Sequence, residues 1–131
     1  MKQSKGLNIA LWVAQGLLVA AFLIAGFMKL TAPIDELAAN GMSFVNTFSE
    51  GIVRFIGISE LLGGIGLILP AWLRIKPILT PIAAIALAIV MVLAAIYHIS
   101  VGEPPVPNII LFALAAFVAW GRLKKAPIQS K

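Results

Sequence analysis

Four long apolar stretches divide this chain, and the charges between them are sorted by sign. Each crossing reverses direction, so tails and connections fall alternately on two faces. On one face lie Lys2 and Lys5, then Arg74 and Lys76, then Arg122, Lys124, Lys125 and Lys131. The other receives Asp35, Glu36, Glu50 and Glu103, and the remaining acid, Glu60, sits within a stretch on that side. Cytoplasmic loops of membrane proteins are enriched in Lys and Arg, so the basic face is expected to be cytoplasmic. The sorting predicts an integral protein of a bacterial-type plasma membrane, with both termini inside.

Composition supports the same class. At 131 residues the chain is expected to form a single transmembrane domain, 1–131. It is 61% hydrophobic and 11% charged, more apolar side chain than a soluble domain of this size can hide. The net charge of +5 follows from the topological bias, so the expected partner is the lipid bilayer and not nucleic acid. There are no cysteines, which excludes thiolate chemistry on this chain. His98 is the single histidine, and no metal site is expected. The first stretch is too long for a signal-peptide core and is expected to remain in the mature protein.

The spans are predicted at about 7–30, 51–69, 77–98 and 106–121, each of a length suited to a hydrocarbon core of roughly 30 Å. Pro70 is expected to stop the second span, and Pro77 to open the third. Trp72 and Trp120 fall at the cytoplasmic boundary and Tyr97 at the opposite one, as interfacial aromatics do. Short connections make neighbouring spans antiparallel. The fold class is therefore all-α, a four-helix transmembrane bundle. Its one long connection, Thr31 to Glu50, carries Met42, Phe44, Val45 and Phe48. It reads as a short amphipathic segment, with Thr31 as cap, lying on the outer membrane surface or folded over the mouth of the bundle.

Polar groups at membrane depth are costly and turn toward protein or water. Asn8, Gln15, Phe22 and Lys29 recur every seventh residue, which holds them near one face of the first span. Glu60 lies on the order of 13 Å below the outer end of the second span. Gly57, Gly63 and Gly64 surround it at helical spacing, so either another helix packs there or a small ligand does. Its carboxylate needs a cation or a donor. Lys29, Arg54 and His98 all arrive in the outer half, and of these Lys29 or His98 suits Glu60 better. Arg54 lies six residues away on the same helix and points about 120° aside. The candidate site is Glu60 as proton donor or acceptor, with Lys29, His98, Arg54, Gln15, Gly57 and Gly64 as ligand-binding residues.

At these positions the chain resembles the DoxX-like family of membrane proteins. The resemblance rests on "AFLIAGFMKLT" closing the first span, "RFIGISELLGGIGLILP" through the second and "AAFVAWGR" near the end. The family pattern places Gly26, Lys29, Gly57, Glu60, Gly63 and Gly64. The resemblance implies a small four-span protein and a link to quinone oxidoreduction. It leads to a redox-associated membrane subunit offering a quinone-like or other small-molecule site in the outer half. Such a protein holds no cofactor of its own; a quinone would come as ligand and redox groups with a partner subunit. Self-association is also open. Two other readings use the same residues: a non-enzymatic scaffold or assembly factor, and a proton or solute transporter.

Topology is directly testable. A green fluorescent protein fused after Lys131 is expected to fluoresce, and alkaline phosphatase inserted in the Asp35–Glu50 loop to be active. The reverse pair of signals would invert the protein in the membrane.

Overall fold

The computed structural model describes residues 5–130. Lys2 and Lys131, counted above with the basic face, lie outside the described residues. Helices account for all the regular structure among the described residues: α1 (Lys5–Thr31), α2 (Ile34–Ala39), a 3-10 turn (Ser43–Asn46), α3 (Glu50–Leu73), α4 (Leu79–Ser100) and α5 (Val106–Trp120). A π-helical turn, Gly121–Lys125, prolongs α5. With that extension, four helices among the described residues are long and apolar enough to cross a membrane. They run up-down-up-down in a closed ring in which α1 packs on α3 and α5, and α4 closes the ring between them.

The apolar residues lie on both sides of each helix. Leu18, Phe22, Leu67, Leu87, Met91 and Val118 fill the interior. Ile9, Val13, Leu17, Ile24 and Phe27 lie on the outside of α1, which water would penalise and lipid does not. Lipid gives these helices no hydrophobic reason to associate, so close backbone approach and interhelical hydrogen bonds must hold them together. Helix α3 supplies the first. A Cβ on Gly57 would lie 2.8 Å from the Gly26 carbonyl oxygen and 2.9 Å from the Leu30 nitrogen, and a Cβ on Gly26 would strike the Gly57 carbonyl at 2.8 Å. Gly64 accommodates Leu23 of α1, while Gly63 and Gly66 accommodate Leu87 and Ala83 of α4. One glycine-lined helix thus receives two neighbours.

Pro70 does not stop the second span. Helix α3 continues to Leu73 with Pro70 inside it, and its last turn closes when the Arg74 backbone N–H donates to the Pro70 carbonyl. A proline leaves the carbonyl four residues earlier without its helical donor. That carbonyl belongs to Gly66, and the Thr80 hydroxyl of α4 donates to it at 3.0 Å. The break in the ladder becomes an interhelical bond. Arg74 caps α3 in the left-handed region (φ 58°), a conformation that favours glycine, and Lys76 follows at φ 47°.

Two further expectations change. Thr31 is the last residue of α1, its hydroxyl donating to the Phe27 carbonyl, and it does not cap α2, which begins after Pro33. Arg122, placed by its position among the cytoplasmic charges, is only 3% exposed and turned into the bundle. The π turn carries the helix past Gly121, so Arg122 falls on the inner face and not in a tail.

The long connection folds over the bundle mouth. Leu37 and Val45 bury themselves against Val53 of α3, with Met28, Ile34, Met42 and Phe44 around them. Ser49 then caps α3 by accepting from the Ile52 N–H.

The glycine crossing yields a sharp expectation. Gly57→Ala puts a methyl group against backbone that cannot yield, and is expected to cost about 1–3 kcal/mol. Gly16→Ala, where nothing lies within 4 Å, is expected to leave the protein as stable or more so. Thermal melts in detergent check both; coincident melts would remove the crossing from the account of stability.

Candidate functional site

The crossing of α1 and α3 sets the geometry of the ion pair. Lys29 and Glu60 each follow the paired glycines by three residues, but the helices are antiparallel. Their Cα atoms are therefore displaced from the crossing in opposite directions by about 4–5 Å each. The long lysine side chain spans that offset, and Nζ lies 2.6 Å from Glu60 Oε1. Glu60 is 2% exposed and Lys29 13%, so the charges meet away from solvent, where attraction is strong and loss of one partner is costly. The Phe44 ring lies 5.7 Å from the ammonium and adds its π face to the cation's surroundings.

Arg54 does a different job. It donates to the carbonyls of Lys29 at 2.9 Å and Ala32 at 2.6 Å, capping the C-terminal end of α1. A second contact, 3.9 Å to Glu50, lies one turn back on its own helix. Arg54 fixes the backbone that carries Lys29 and does not contact Glu60 itself.

His98 pairs with Glu103, not with Glu60. Its Nδ1 donates to Glu103 Oε1 at 2.8 Å, and the Ser43 hydroxyl lies 3.0 and 2.8 Å from the two carboxylate oxygens. The hydrogen bond from His98, then that from Ser43, holds the Glu103 carboxyl below the usual carboxylate range. The clasp is therefore fully formed above the ordinary carboxylate pKa and opens as pH falls through the lowered one. Thr47 and Tyr97 share a second hydrogen bond at 3.2 Å, and the Phe48 and Tyr97 rings meet at 5.7 Å. Together these contacts fasten the loop to the end of α4 and the connection that follows it.

Beneath the fastened loop lies a cavity of about 660 Å³. Lys29 and Glu60 form its polar wall, with Ser59, His98, Tyr97 and Asn108 nearby. The remainder is apolar: Phe44, Phe48, Phe55, Ile56, Val90, Met91, Leu93 and Ala94. Of the residues the sequence singled out, Glu60, Lys29 and His98 line this space. Gly57 and Gly64 do not, because α1 occupies the room their missing side chains leave. Arg54 stands behind the wall.

Gln15 belongs to another cluster at the opposite, basic end. It donates to the Leu67 carbonyl at 2.7 Å and accepts from Arg122 Nε at 2.7 Å. Arg122 Nη1 also reaches Asn8 Oδ1 at 2.7 Å and the Ala126 carbonyl at 2.8 Å. The Trp12 ring lies 5.1 Å from the guanidinium carbon, while Nη2 is buried with no hydrogen-bond partner among the described residues. Sequence reasoning missed Arg122, although the stripe Asn8–Gln15 called for a donor and Arg122 lies one residue past the expected span. It also missed Glu103 and Ser43, whose meeting across sixty residues leaves no local pattern.

The pair itself can be tested without activity. Lys29→Met or Glu60→Met alone leaves one buried charge unmatched and is expected to cost about 3–5 kcal/mol. The double variant should recover most of that loss, since replacing a buried pair by apolar residues is often neutral. A double-mutant cycle in detergent melts measures it, and additive losses would mean the two charges are not coupled.

The sequence profile of the DoxX-like family matches residues 13–121. No match was found among curated proteins or among solved structures. Lys29, Glu60, the paired glycines and His98 all lie within the matched residues, and Arg122 falls one residue beyond them. With four membrane-spanning helices and a match over most of its length, the chain belongs to the DoxX-like family.

Proposed function

We propose that this protein is a redox-associated, quinone-linked membrane subunit whose small-molecule site is the cavity at the acidic end of the bundle. One observation carries the reading: an ion pair forms part of the wall of an otherwise apolar cavity of about 660 Å³. That volume suits a small organic ligand, and mostly apolar walls with a few convergent polar groups are what such sites have. The wall between α3 and α4 supports a ligand that arrives from lipid. Phe55 and Leu93 line the cavity, yet are 68% and 62% exposed on the outer surface of the bundle. The loop, clasped through Ser43–Glu103 and Thr47–Tyr97, stands on the side of water.

In this reading Glu60 exchanges a proton with the bound head group, and Lys29 holds the carbonyl or oxyanion it faces. His98 and Arg54 position the loop and the end of α1. Electrons pass between the ligand and a redox centre on a partner subunit. The acidic end faces outward, as the positive-inside bias implies.

The scaffold reading draws on the same pair, since a buried charge pair specifies helix register. The transport reading has less support. The cluster at Gln15 and Arg122 is separated from Lys29 and Glu60 by Leu18, Phe22 and Leu67, all fully or almost fully buried.

Glu60→Gln separates site from scaffold. It keeps volume and a hydrogen-bonding oxygen but cannot ionise. The site reading expects normal recovery of folded protein from membranes together with loss of quinone-linked turnover, because the amide can relay no proton. Unaltered ligand content and turnover in an intact preparation would sink the site and leave the scaffold.

A further inference from the structure

We infer that the cavity selects an apolar molecule bearing an aromatic hydroxyl, which donates to Glu60 Oε2 while accepting from Lys29 Nζ. This rests on the site proposed above and narrows it: of a quinone couple, the protein receives the reduced quinol in preference to the quinone.

An ammonium carries three N–H donors and a carboxylate accepts at both oxygens. Lys29 spends one donor on Glu60 Oε1 at 2.6 Å, and no other hydrogen bond reaches Glu60 from the described residues, which leaves Oε2 open as an acceptor. An acceptor and spare donors therefore stand side by side in the cavity wall. Each of the other polar side chains nearby has a partner of its own: Ser59 donates to the Phe55 carbonyl, His98 Nδ1 to Glu103, and the Asn108 amide nitrogen to Met91 Sδ, and none of them brings a charged donor and a charged acceptor together.

A ligand that completes the pair must both donate and accept at one end. A hydroxyl does this with a single atom. A quinone carbonyl only accepts, so it would satisfy Lys29 and set its lone pairs against those of Oε2. The pair carries no net charge, so an ionic head group finds no counter-charge there. A hydrogen bond to a charged acceptor is worth more than one between neutral groups, which makes the discrimination measurable. Phe44, Phe48 and Tyr97 add ring faces and edges that suit an aromatic head over an aliphatic alcohol.

The test uses the whole protein in lipid nanodiscs, held anaerobically, with a photoreactive alkyl phenol as probe. Competitors are a short-tailed benzoquinol, its quinone, its dimethyl ether and a tail-matched aliphatic alcohol. The quinol is expected to displace the probe at concentrations about tenfold lower than the quinone, the ether or the alcohol. Crosslinks should map to α3 near Ser59 and to α4 near Ala94. In Glu60→Gln the preference for quinol over quinone should collapse to within about twofold, because the charged acceptor is gone. The ether comparison needs only the wild-type protein, so it decides the matter even where the variant does not fold. A quinone that competes as well as the quinol overturns the hydroxyl selection while leaving a quinone site in place. An alcohol equal to the quinol overturns the aromatic class. Absence of saturable crosslinking at the cavity overturns both this inference and the site beneath it.

Discussion

The rest of the structure depends on the contact between Gly26 and Gly57. In lipid, apolar side chains gain little by leaving their surroundings, so helices associate where backbones come close enough for dispersion and dipole contacts. At this crossing each glycine lies against the other's carbonyl, closer than any side chain allows. The approach determines where Lys29 and Glu60 stand. The glycines bring the two backbones into contact, and the Lys29 side chain bridges the remaining offset to a carboxylate only 2% exposed. Sterics at one level thereby decide electrostatics at the next.

The buried charged side chains among the described residues fall into two centres, one at each end of the bundle. At the acidic end the charges are matched, Lys29 with Glu60, and face a cavity. At the basic end the partners of Arg122 among the described residues are neutral: amide oxygens of Gln15 and Asn8, a carbonyl, and the Trp12 ring. Those partners come from α1 and from the chain just after the π turn, so the guanidinium ties the end of α5 to the start of α1 and closes the ring of helices. Arginine suits this place better than lysine would, because its planar fork reaches several acceptors at once. One centre opens on a cavity, whereas the other ties two helices together.

Helix α3 combines breaks and bonds in the same way. Pro70 frees the Gly66 carbonyl, Thr80 takes it up, and the amide of Gln15 donates to the Leu67 carbonyl one residue on. The carbonyl that Pro70 frees is thus met by a side chain of α4, and a second α3 carbonyl by one of α1. In a medium without water no other donor is at hand.

Much of the architecture was legible in the sequence because its signals are additive or local. Hydropathy summed over each stretch reports four spans, and the sign of the loop charges reports their alternation. The seven-residue stripe on the first span and the glycines around Glu60 also showed which faces turn inward. What the sequence left open was whether helix or ligand fills the space beside those glycines, and whether Lys29 or His98 meets Glu60. Only the tertiary structure decided these. The glycines admit α1, the lysine follows it in, and His98 is held aside by Glu103 and Ser43. Arg122 makes the same point. One further helical turn of π geometry carries a residue that reads as a solvated tail charge into the interior, and local sequence gives no account of that turn. Composition and period act along the chain and survive without a fold. Partner choice depends on ångström-scale offsets between helices, and those exist only once the helices have packed.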